Sequence, residues 1–461
     1  MNLKYFVKKL IHQTVLFEIF FKKDSLKKSF PRFKLDKLET NDVVGWVPYI
    51  KGKTTICLYN FFSINYSIRK SMKLKFYLID NLNIVDIYKT EIKPDEILNL
   101  DLNKIFGNKN GQILIAQLYS DQIKFKHAGN DGHLRFWGNY TQNKNSIISL
   151  VHSMPLSYND LFLKKFNYSR NYNFNTSDKL FTQNCFTSGT ELIESNIINQ
   201  KVYYGYNIVT DKENNPISVW HLSPVNKNRK QIEVLQGAFC PNVEDLDPYV
   251  ILDPIETGIT KNNVEFYIVR EKTVEDKKRL FIENFFKLKI SDIFGKKIVP
   301  GYSIFMKFQS MGLSHSHIHY AINNKLSDQV HMHESNWKIE NNLLKPIESK
   351  KKSNCRKFFH FYFQEKNLIN LVVIHNEKVE NKDNNSLKIR LFSKNNIEKI
   401  KIINIGSENP LTIININELF ELKDINNGVI QIESFDFNFH ASGLILNKKL
   451  NTIATDHFTG G

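Results

Sequence analysis

EILNLDLNKIFG, residues 96–107, alternates apolar and polar side chains and then turns at Phe106. FFKLKISDIFG (residues 285–295) and LTIININELFE (residues 411–421) follow the same pattern. An alternation with a period of two places one face of a strand in a core and the other face in solvent. The three stretches therefore predict strands at corresponding positions of a repeated fold.

The flanking sequence supports a repeat, because each stretch lies between further strand-like runs in one order. Two runs precede it and one follows, as in TTICLYNFF (54–62), KLKFYLIDNLN (73–83) and GQILIAQLYSD (111–121) of the first copy. The distance from the second strand to the terminal phenylalanine is also similar in all copies. It is 30 residues from Phe76 to Phe106, 28 from Phe266 to Phe294 and 31 from Ile389 to Phe420.

Many short strands separated by polar turns favour stacked antiparallel sheets. We therefore predict an all-β chain of three tandem related β-sandwich domains, preceded by a short N-terminal amphipathic helix. The expected segments are a basic amphipathic terminus (1–40), the first sandwich (41–155), a connector (156–200), the second sandwich with a histidine-rich hairpin (201–340), a basic linker (341–364) and the third sandwich (365–461).

The strand pattern resembles that of the sensory rhodopsin transducer family, a small β-sandwich. LKFYLIDNLN (74–83) with LNLDLNKIF (98–106) is the nearest match, and the likeness covers about sixty residues of each repeat. The resemblance implies a sandwich fold and an association with signalling interactions and sugar-like ligands. It implies no catalytic residues.

The N-terminal segment is basic and amphipathic. Phe6, Leu10, Thr14 and Phe17 recur at helical spacing among lysines, which predicts a helix over residues 4–23. One interpretation is a helix lying on an anionic membrane surface, and the other is a helix packed on the first domain. The sequence has no apolar run of about 18 residues, so we predict no membrane-spanning helix.

Composition narrows the range of partners. The chain has 461 residues and a formal net charge of +16, but lysine supplies most of the positive charge. Proteins that recognise phosphates and bases favour arginine, because its planar guanidinium group can donate two hydrogen bonds at once. We therefore do not expect a nucleic-acid partner. Four scattered cysteines without a CxxC pair argue against a disulfide scaffold and fit a reducing compartment. We expect a bacterial protein of the cytoplasm, with peripheral contact to the inner membrane as an open alternative.

One segment concentrates histidine. SHSHIHYAINNKLSDQVHMHES, residues 314–335, holds five of the 14 histidines in the chain. If it forms a hairpin centred on Lys325, His317 lies opposite His333 and His319 opposite His331, all on one face. The other copies contain similar pairs, His133 with His152 and His440 with His457. We therefore consider a meeting point for the three pairs.

Three interpretations of these histidines remain open. A divalent transition metal needs three or four converging donors, often with a carboxylate. A carbohydrate or other polar ligand needs hydrogen-bond donors beside aromatic rings. The third interpretation is polar packing between domains. The metal candidates are His315, His317, His319, His331, His333 and Glu334, and the ligand-surface candidates are Trp137, Tyr320, Trp337, His133, His440 and His457.

The sequence carries no GxSxG elbow, P-loop or GxGxxG motif, so no reaction is indicated. We predict a multidomain β-sandwich protein that binds a carbohydrate-type or other polar ligand or scaffolds an assembly. The alternative is a metal-dependent enzyme that acts on a sugar or polysaccharide precursor through the 315–333 cluster.

Overall fold

The computed structural model describes most of the chain after residue 42. The described ranges are 43–66, 69–80, 83–111, 113–118, 134, 136–141, 147–155, 167–176, 179–194, 201–210, 216–222, 231–240, 246–252, 259–283, 286–298, 301–311, 316–322, 325–334, 337–347, 356–363, 367–377, 385–393, 398–405, 411–421, 428–434, 438–448 and 452–460. The helix expected over residues 4–23 lies outside them. Antiparallel sheets dominate the described part, which confirms the predicted all-β class.

The first group of strands forms two sheets, ordered β4-β3-β6-β1-β9 and β5-β2-β7-β8. Helix α1 (Phe61–Tyr66) follows β2, and helix α2 (Leu102–Phe106) follows β5. The strands are β1 (Val43–Pro48), β2 (Thr54–Tyr59), β3 (Met72–Asp80), β4 (Asn83–Ile92), β5 (Ile97–Asp101), β6 (Ile113–Leu118), β7 (Trp137–Thr141), β8 (Ile147–His152) and β9 (Met154–Pro155).

A separate four-stranded sheet follows, in the order β10-β11-β12-β13. Its strands are β10 (Asn167–Thr176), β11 (Lys179–Glu194), β12 (Lys201–Thr210) and β13 (Pro216–Leu222). We call it the inserted sheet. It crosses the domain boundary that we expected at residue 200, because β12 pairs with β11 along most of its length. The expected connector 156–200 therefore contributes two strands of a sheet.

The second group forms one ten-stranded sheet, β18-β15-β20-β21-β14-β19-β16-β17-β23-β22, with helix α3 (Ile290–Phe294) after β18. For β20 and β21 the backbone alone is described. The strands are β14 (Ile232–Phe239), β15 (Leu246–Leu252), β16 (Lys261–Arg270), β17 (Thr273–Glu283), β18 (Phe286–Lys289), β19 (Ser303–Ser310), β20 (Ser316–Ile322), β21 (Lys325–Glu334), β22 (Trp337–Glu340) and β23 (Leu343–Pro346).

The third group again forms two sheets, β27-β26-β29-β24-β32 and β28-β25-β30-β31, with helix α4 (Ile416–Phe420) after β28. Its first strand lies inside the expected linker 341–364. The strands are β24 (Arg356–Tyr362), β25 (Leu368–Glu377), β26 (Asn385–Ser393), β27 (Glu398–Ile405), β28 (Leu411–Asn415), β29 (Gly428–Ser434), β30 (Asn438–Asn447), β31 (Thr452–His457) and β32 (Thr459–Gly460).

The registers of the three groups correspond. Strands β6, β19 and β29 each pair with two neighbours, and the paired residues occupy matching positions. In the first group Ala116 pairs with Phe76 and Gly45, in the second Met306 pairs with Phe266 and Gln236, and in the third Ile432 pairs with Ile389 and Phe358. The strands β1, β14 and β24 also pair on their other side, with β9, β21 and β32. There the partners of Gly45, Gln236 and Phe358 are Pro155, Glu334 and Gly460.

The short helices at the quoted stretches have local causes. The side chain of Asp101 accepts a hydrogen bond from the backbone N–H of Asn103 at 3.0 Å, and Asn415 accepts from that of Asn417 at 3.1 Å. Such caps satisfy amides that a first helical turn leaves without partners. Phe106, Phe294 and Phe420 are all buried, so each turn fixes an aromatic ring in a core.

Neighbouring groups pack on each other through the outer faces of their sheets. Phe361 of the third group contacts the rings of Tyr59 and Trp137 of the first, at centroid distances of 5.8 and 5.0 Å. Val373 and Leu444 of the third group belong to the same apolar cluster as the core of the second. The indole N–H of Trp337 donates to the carbonyl oxygen of Asn376 at 2.6 Å.

Within the described ranges, no helix is both long and apolar enough to cross a bilayer.

Removing the ring at the end of α4 tests its place in the core. Phe420 is 2% exposed, and Phe420→Ala should lower the free energy of unfolding by about 3–5 kcal/mol, because it removes apolar contacts and leaves a cavity. Phe281→Ala is the control, since Phe281 is 60% exposed and should change stability by less than about 0.5 kcal/mol. Denaturant unfolding measures both, and equal effects would contradict this core assignment.

The two described thiols should be unreactive in the native protein. Burial raises the pKa of Cys57 to about 12 and raises that of Cys240 as well. With a pKa of about 12, roughly one thiol in ten thousand is ionised at pH 8, and the thiolate is the nucleophile. Iodoacetamide followed by peptide mass spectrometry should find both cysteines modified only after unfolding. Rapid native modification of either would contradict the burial.

Candidate functional site

Four strands from different sheets meet at one place. β8 of the first group, β13 of the inserted sheet, β21 of the second group and β31 of the third lie against one another. We call this place the junction. It is the point where all parts of the described chain come together, and it contains buried titratable side chains.

The centre of the junction is a contact between His152 and Asp456, which are 304 residues apart in the chain. The Nδ1 atom of His152 lies 3.0 and 3.2 Å from the two carboxylate oxygens of Asp456. The backbone N–H of His152 donates to the same carboxylate at 2.7 Å. The side chains are 3% and 0% exposed. A buried carboxylate is costly unless it is paired and hydrogen-bonded, and this geometry provides both.

His221 brings a third donor to the contact. Its ring lies edge-on to that of His152, with centroids 4.5 Å apart and an interplanar angle of 62°. One donor atom from each of His152, His221 and Asp456 lies within 4.8 Å of the others, and all three residues are buried. We call these residues the donor triangle.

The inserted sheet positions His221 through a tyrosine. Tyr206 lies opposite His221 in the pairing of β12 with β13. The hydroxyl of Tyr206 lies 2.7 Å from the carbonyl oxygen of Trp46 and 2.9 Å from that of His152, either of which can accept its proton. The ring also packs edge-on against Trp46 at 4.8 Å. Tyr206 therefore holds β12 and β13 against the end of β8.

His360 lies beside the donor triangle, on β24. Its Nδ1–H donates to the carbonyl oxygen of Phe361 at 2.5 Å, which leaves the lone pair on Nε2. Nε2 is buried, and no described residue hydrogen-bonds to it. Burial lowers the pKa of His360, whereas the carboxylate of Asp456 acts to raise it. The direction of the shift favours a neutral imidazole.

A glycine makes room for the His360 ring. Gly443 of β30 pairs with Asp456 of β31. A Cβ atom on Gly443 would lie 2.6 Å from Cε1 of His360 and 2.8 Å from both ring nitrogens. These distances are far below van der Waals contact, so the absence of a side chain at Gly443 allows the ring to lie next to the paired carboxylate.

The junction combines imidazole nitrogens with one carboxylate in a buried place. This donor set suits divalent transition metals, whereas magnesium and calcium prefer oxygen ligands. The same groups can also act as a buried ion pair that fastens strands of different sheets. All of these side chains are buried, so they are poorly placed to exchange protons with solvent.

The hairpin register expected for the histidine-rich segment is wrong by two residues. His317 pairs with His331, and His319 pairs with Gln329. His333 instead pairs with Gly237 of β14. The cause is that Ile322 pairs with Lys325, which leaves only two connecting residues, and that a bulge follows between His319 and Ala321.

The backbone nevertheless brings one histidine of each of the three groups to the junction. His152 and His457 end β8 and β31, and His331 lies three residues before the end of β21. All three positions match, because each lies three residues before a residue that pairs with β1, β14 or β24. These three strands lie against one another. Only the His152 side chain is described, and Asp456 provides the described donor on β31.

The aromatic residues expected on a ligand surface are mostly internal. Trp137 is fully buried and Trp337 is 2% exposed, because both fill contacts between groups, so neither ring forms an exposed platform. His440 is partly buried and pairs with His375. Two of the remaining candidates, His133 and His315, lie outside the described residues. For the others only the backbone is described, namely for His317, His319, Tyr320, His331, His333, Glu334 and His457.

Sequence analysis missed His221, His360 and Asp456 as site residues. His221 and Asp456 each interrupt an apolar strand, in SVWHLS (218–223) and TIATDHF (452–458). A titratable residue at an inward-facing strand position is the one available signal, and it does not identify the partners.

No protein-family model matches the sequence, and no curated protein matches it either.

Adding a methyl group at Gly443 should displace His360. We expect Gly443→Ala to lower the free energy of unfolding by about 1–3 kcal/mol, the usual cost of overpacking. In a His360→Ala background the clash disappears, so the same substitution should cost much less. A double-mutant cycle in denaturant measures this coupling. Equal costs in the two backgrounds would contradict the contact.

Proposed function

We propose that the chain is a scaffold protein built from three related β-sandwich domains. The first and third groups have the same strand orders in their two sheets, and the ten-stranded sheet of the second group contains the corresponding orders β17-β16-β19-β14 and β18-β15-β20-β21. Together with the matching registers, these orders support a common domain plan. A repeat is the simplest origin of this match, because the order of strands and the position of the short helix agree together. The resemblance to the sensory rhodopsin transducer sandwich is part of the same proposal and concerns the fold.

A scaffold needs rigid parts, and the contacts between groups support rigidity. Apolar side chains of the third group take part in the clusters of both other groups. Buried apolar area of this kind gives the largest favourable term in association. The groups therefore form one rigid unit rather than separate domains joined by flexible linkers.

The observation that carries the proposal is the composition of two outer strands. β4 and β27 end their five-stranded sheets at corresponding positions. Ile84 and Ile87 on β4 are 45% and 48% exposed, and Ile400 and Ile402 on β27 are 47% and 70% exposed. An end strand presents backbone donors and acceptors to a further strand, and exposed apolar residues strengthen such pairing.

The partner that we propose is the edge of another copy of this chain. Antiparallel pairing of one edge with its own copy satisfies two-fold symmetry, the commonest symmetry of protein assemblies. Ile400 and Ile402 alternate with Lys399 and Lys401, so the apolar pair lies on one face and the charges on the other. This arrangement limits uncontrolled aggregation while leaving an apolar stripe for pairing.

Lysine at the edge tests this assembly. The double substitution Ile400→Lys with Ile402→Lys should shift the protein towards monomer in sedimentation velocity, because it places charges on the pairing stripe. Ile232→Lys is the matched control, since Ile232 is 37% exposed but lies on β14, inside a sheet. A wild-type protein that stays monomeric at every concentration would contradict the proposal.

The other functions remain proposals without a described contact to support them. Recognition of a carbohydrate would need exposed rings, and the two tryptophans named for it are buried. An enzyme acting through residues 315–333 would need side-chain geometry that lies outside the described residues. Peripheral membrane contact depends on residues 4–23, which also lie outside them.

A further inference from the structure

We propose that the junction binds one divalent transition-metal ion, with zinc as the best fit, through His152, His221 and Asp456 and with His360 as the fourth donor. The proposal goes beyond the scaffold function and does not depend on it. It places the metal at the junction rather than on the histidine-rich hairpin.

The distances in the donor triangle are close to those of a formed site. Zinc lies about 2.0–2.1 Å from histidine nitrogen and about 2.0–2.2 Å from carboxylate oxygen, so tetrahedral donors lie about 3.3 Å apart. The donor atoms of the triangle lie within 4.8 Å of one another, and His152 Nδ1 is 3.0 Å from the nearer Asp456 oxygen. Bringing donor atoms from at most 4.8 Å apart to about 3.3 Å takes up to about 1.5 Å of side-chain movement. His360 is not among the residues whose donor atoms lie within 4.8 Å of one another, so its ring has to move towards the ion to become the fourth donor.

The chemistry of the donors selects the class of ion. Imidazole nitrogen suits zinc, iron, nickel and copper, and a single carboxylate is a common companion. Asp456 also offsets one of the two positive charges that the ion would bring into a buried place. Exclusion of solvent and a full set of protein donors are typical of structural zinc sites, which keep no open position.

His360 provides an independent observation that points to a ligand. Histidines that bind metals usually donate their other ring N–H to a carbonyl or carboxylate, which fixes the tautomer. His360 has this arrangement, because Nδ1–H donates to Phe361 and the buried Nε2 has no hydrogen-bond partner among the described residues. Gly443, which pairs with Asp456 across the two strands, has no side chain, and the His360 ring occupies the space that a Cβ atom would need.

An ion pair between His152 and Asp456 is the competing explanation. It accounts for the 3.0 Å contact, but it requires a protonated His152 with a second imidazole, that of His221, at a centroid distance of 4.5 Å. It also leaves the buried Nε2 atom of His360 without a role. A metal ion held by His152, His221 and Asp456 needs only neutral imidazoles, and it offers the buried Nε2 atom of His360 a partner once that ring moves towards it.

The test uses the full-length protein after removal of metal with a chelator. Isothermal titration with zinc chloride, followed by elemental analysis of the desalted protein, should give one tightly held zinc ion per chain. Asp456→Asn and His221→Gln should each weaken zinc binding at least about 100-fold, and His360→Gln about 10–100-fold. His375→Gln is the matched control, because His375 is also buried but lies outside the donor triangle, and it should bind zinc like the wild type.

Folding has to be measured separately, because Asp456 and His221 are buried. Circular dichroism and gel filtration of each metal-free variant should match the metal-free wild type, and zinc should raise the melting temperature of the wild type but not of Asp456→Asn. If Asp456→Asn fails to fold, the absorption of Co²⁺ bound to the wild type and to His360→Gln gives the answer. A loss of intensity or a changed spectrum in the variant supports the site.

Two results would overturn the proposal. The first is a wild-type protein that retains no zinc, iron, nickel or copper. The second is zinc binding that is abolished by His317→Gln with His331→Gln but unchanged by Asp456→Asn, which would place the ion on the hairpin. Sedimentation of the same variants keeps this test separate from that of the scaffold, because the edge strand β27 is unchanged in all of them.

Discussion

Both faces of the sheet β28-β25-β30-β31 have to be buried, and much of the remaining structure depends on this constraint. Val372 and Ile374 of β25 pack into the core of the third group, whereas Val373 between them packs with the second group. A sheet with two apolar faces is stable only when something covers each of them. The third group therefore needs its neighbour, and the chain cannot behave as three independent domains.

The polar junction follows from the same close packing. When sheets from several groups meet, the ends of their outer strands are enclosed, and any polar side chain there must find a partner inside the protein. His152 and Asp456 solve this problem for each other, and Tyr206 joins the inserted sheet to the same place. The junction thus encloses buried polar groups and also joins residues that lie 304 positions apart in the chain.

The sequence predicted what is local and missed what is distant. Alternation and the terminal phenylalanines indicated the β-rich class, and Phe106, Phe294 and Phe420 are indeed buried at the ends of short helices. The inserted sheet was missed because its Tyr- and Asn-rich strands lack a clear apolar face. The hairpin register was wrong because a bulge and a two-residue connection are not visible in the spacing of the histidines. His221 and Asp456 could not be paired in advance, because no motif spacing links residues brought together by tertiary packing.

The separation of His152 from Asp456 has a consequence for how the protein is made. The ribosome adds about 5–20 residues per second, so Asp456 emerges about 15–60 s after His152. During that interval the end of β8 and the strand carrying His221 have reached the outside of the ribosome without the carboxylate that finally pairs with His152. A nascent chain in this state exposes the apolar outer faces that the third group later covers. Completion of the junction is therefore a late event in biosynthesis. Until then the first group can bury only the apolar residues of its own core, and its outer faces stay exposed.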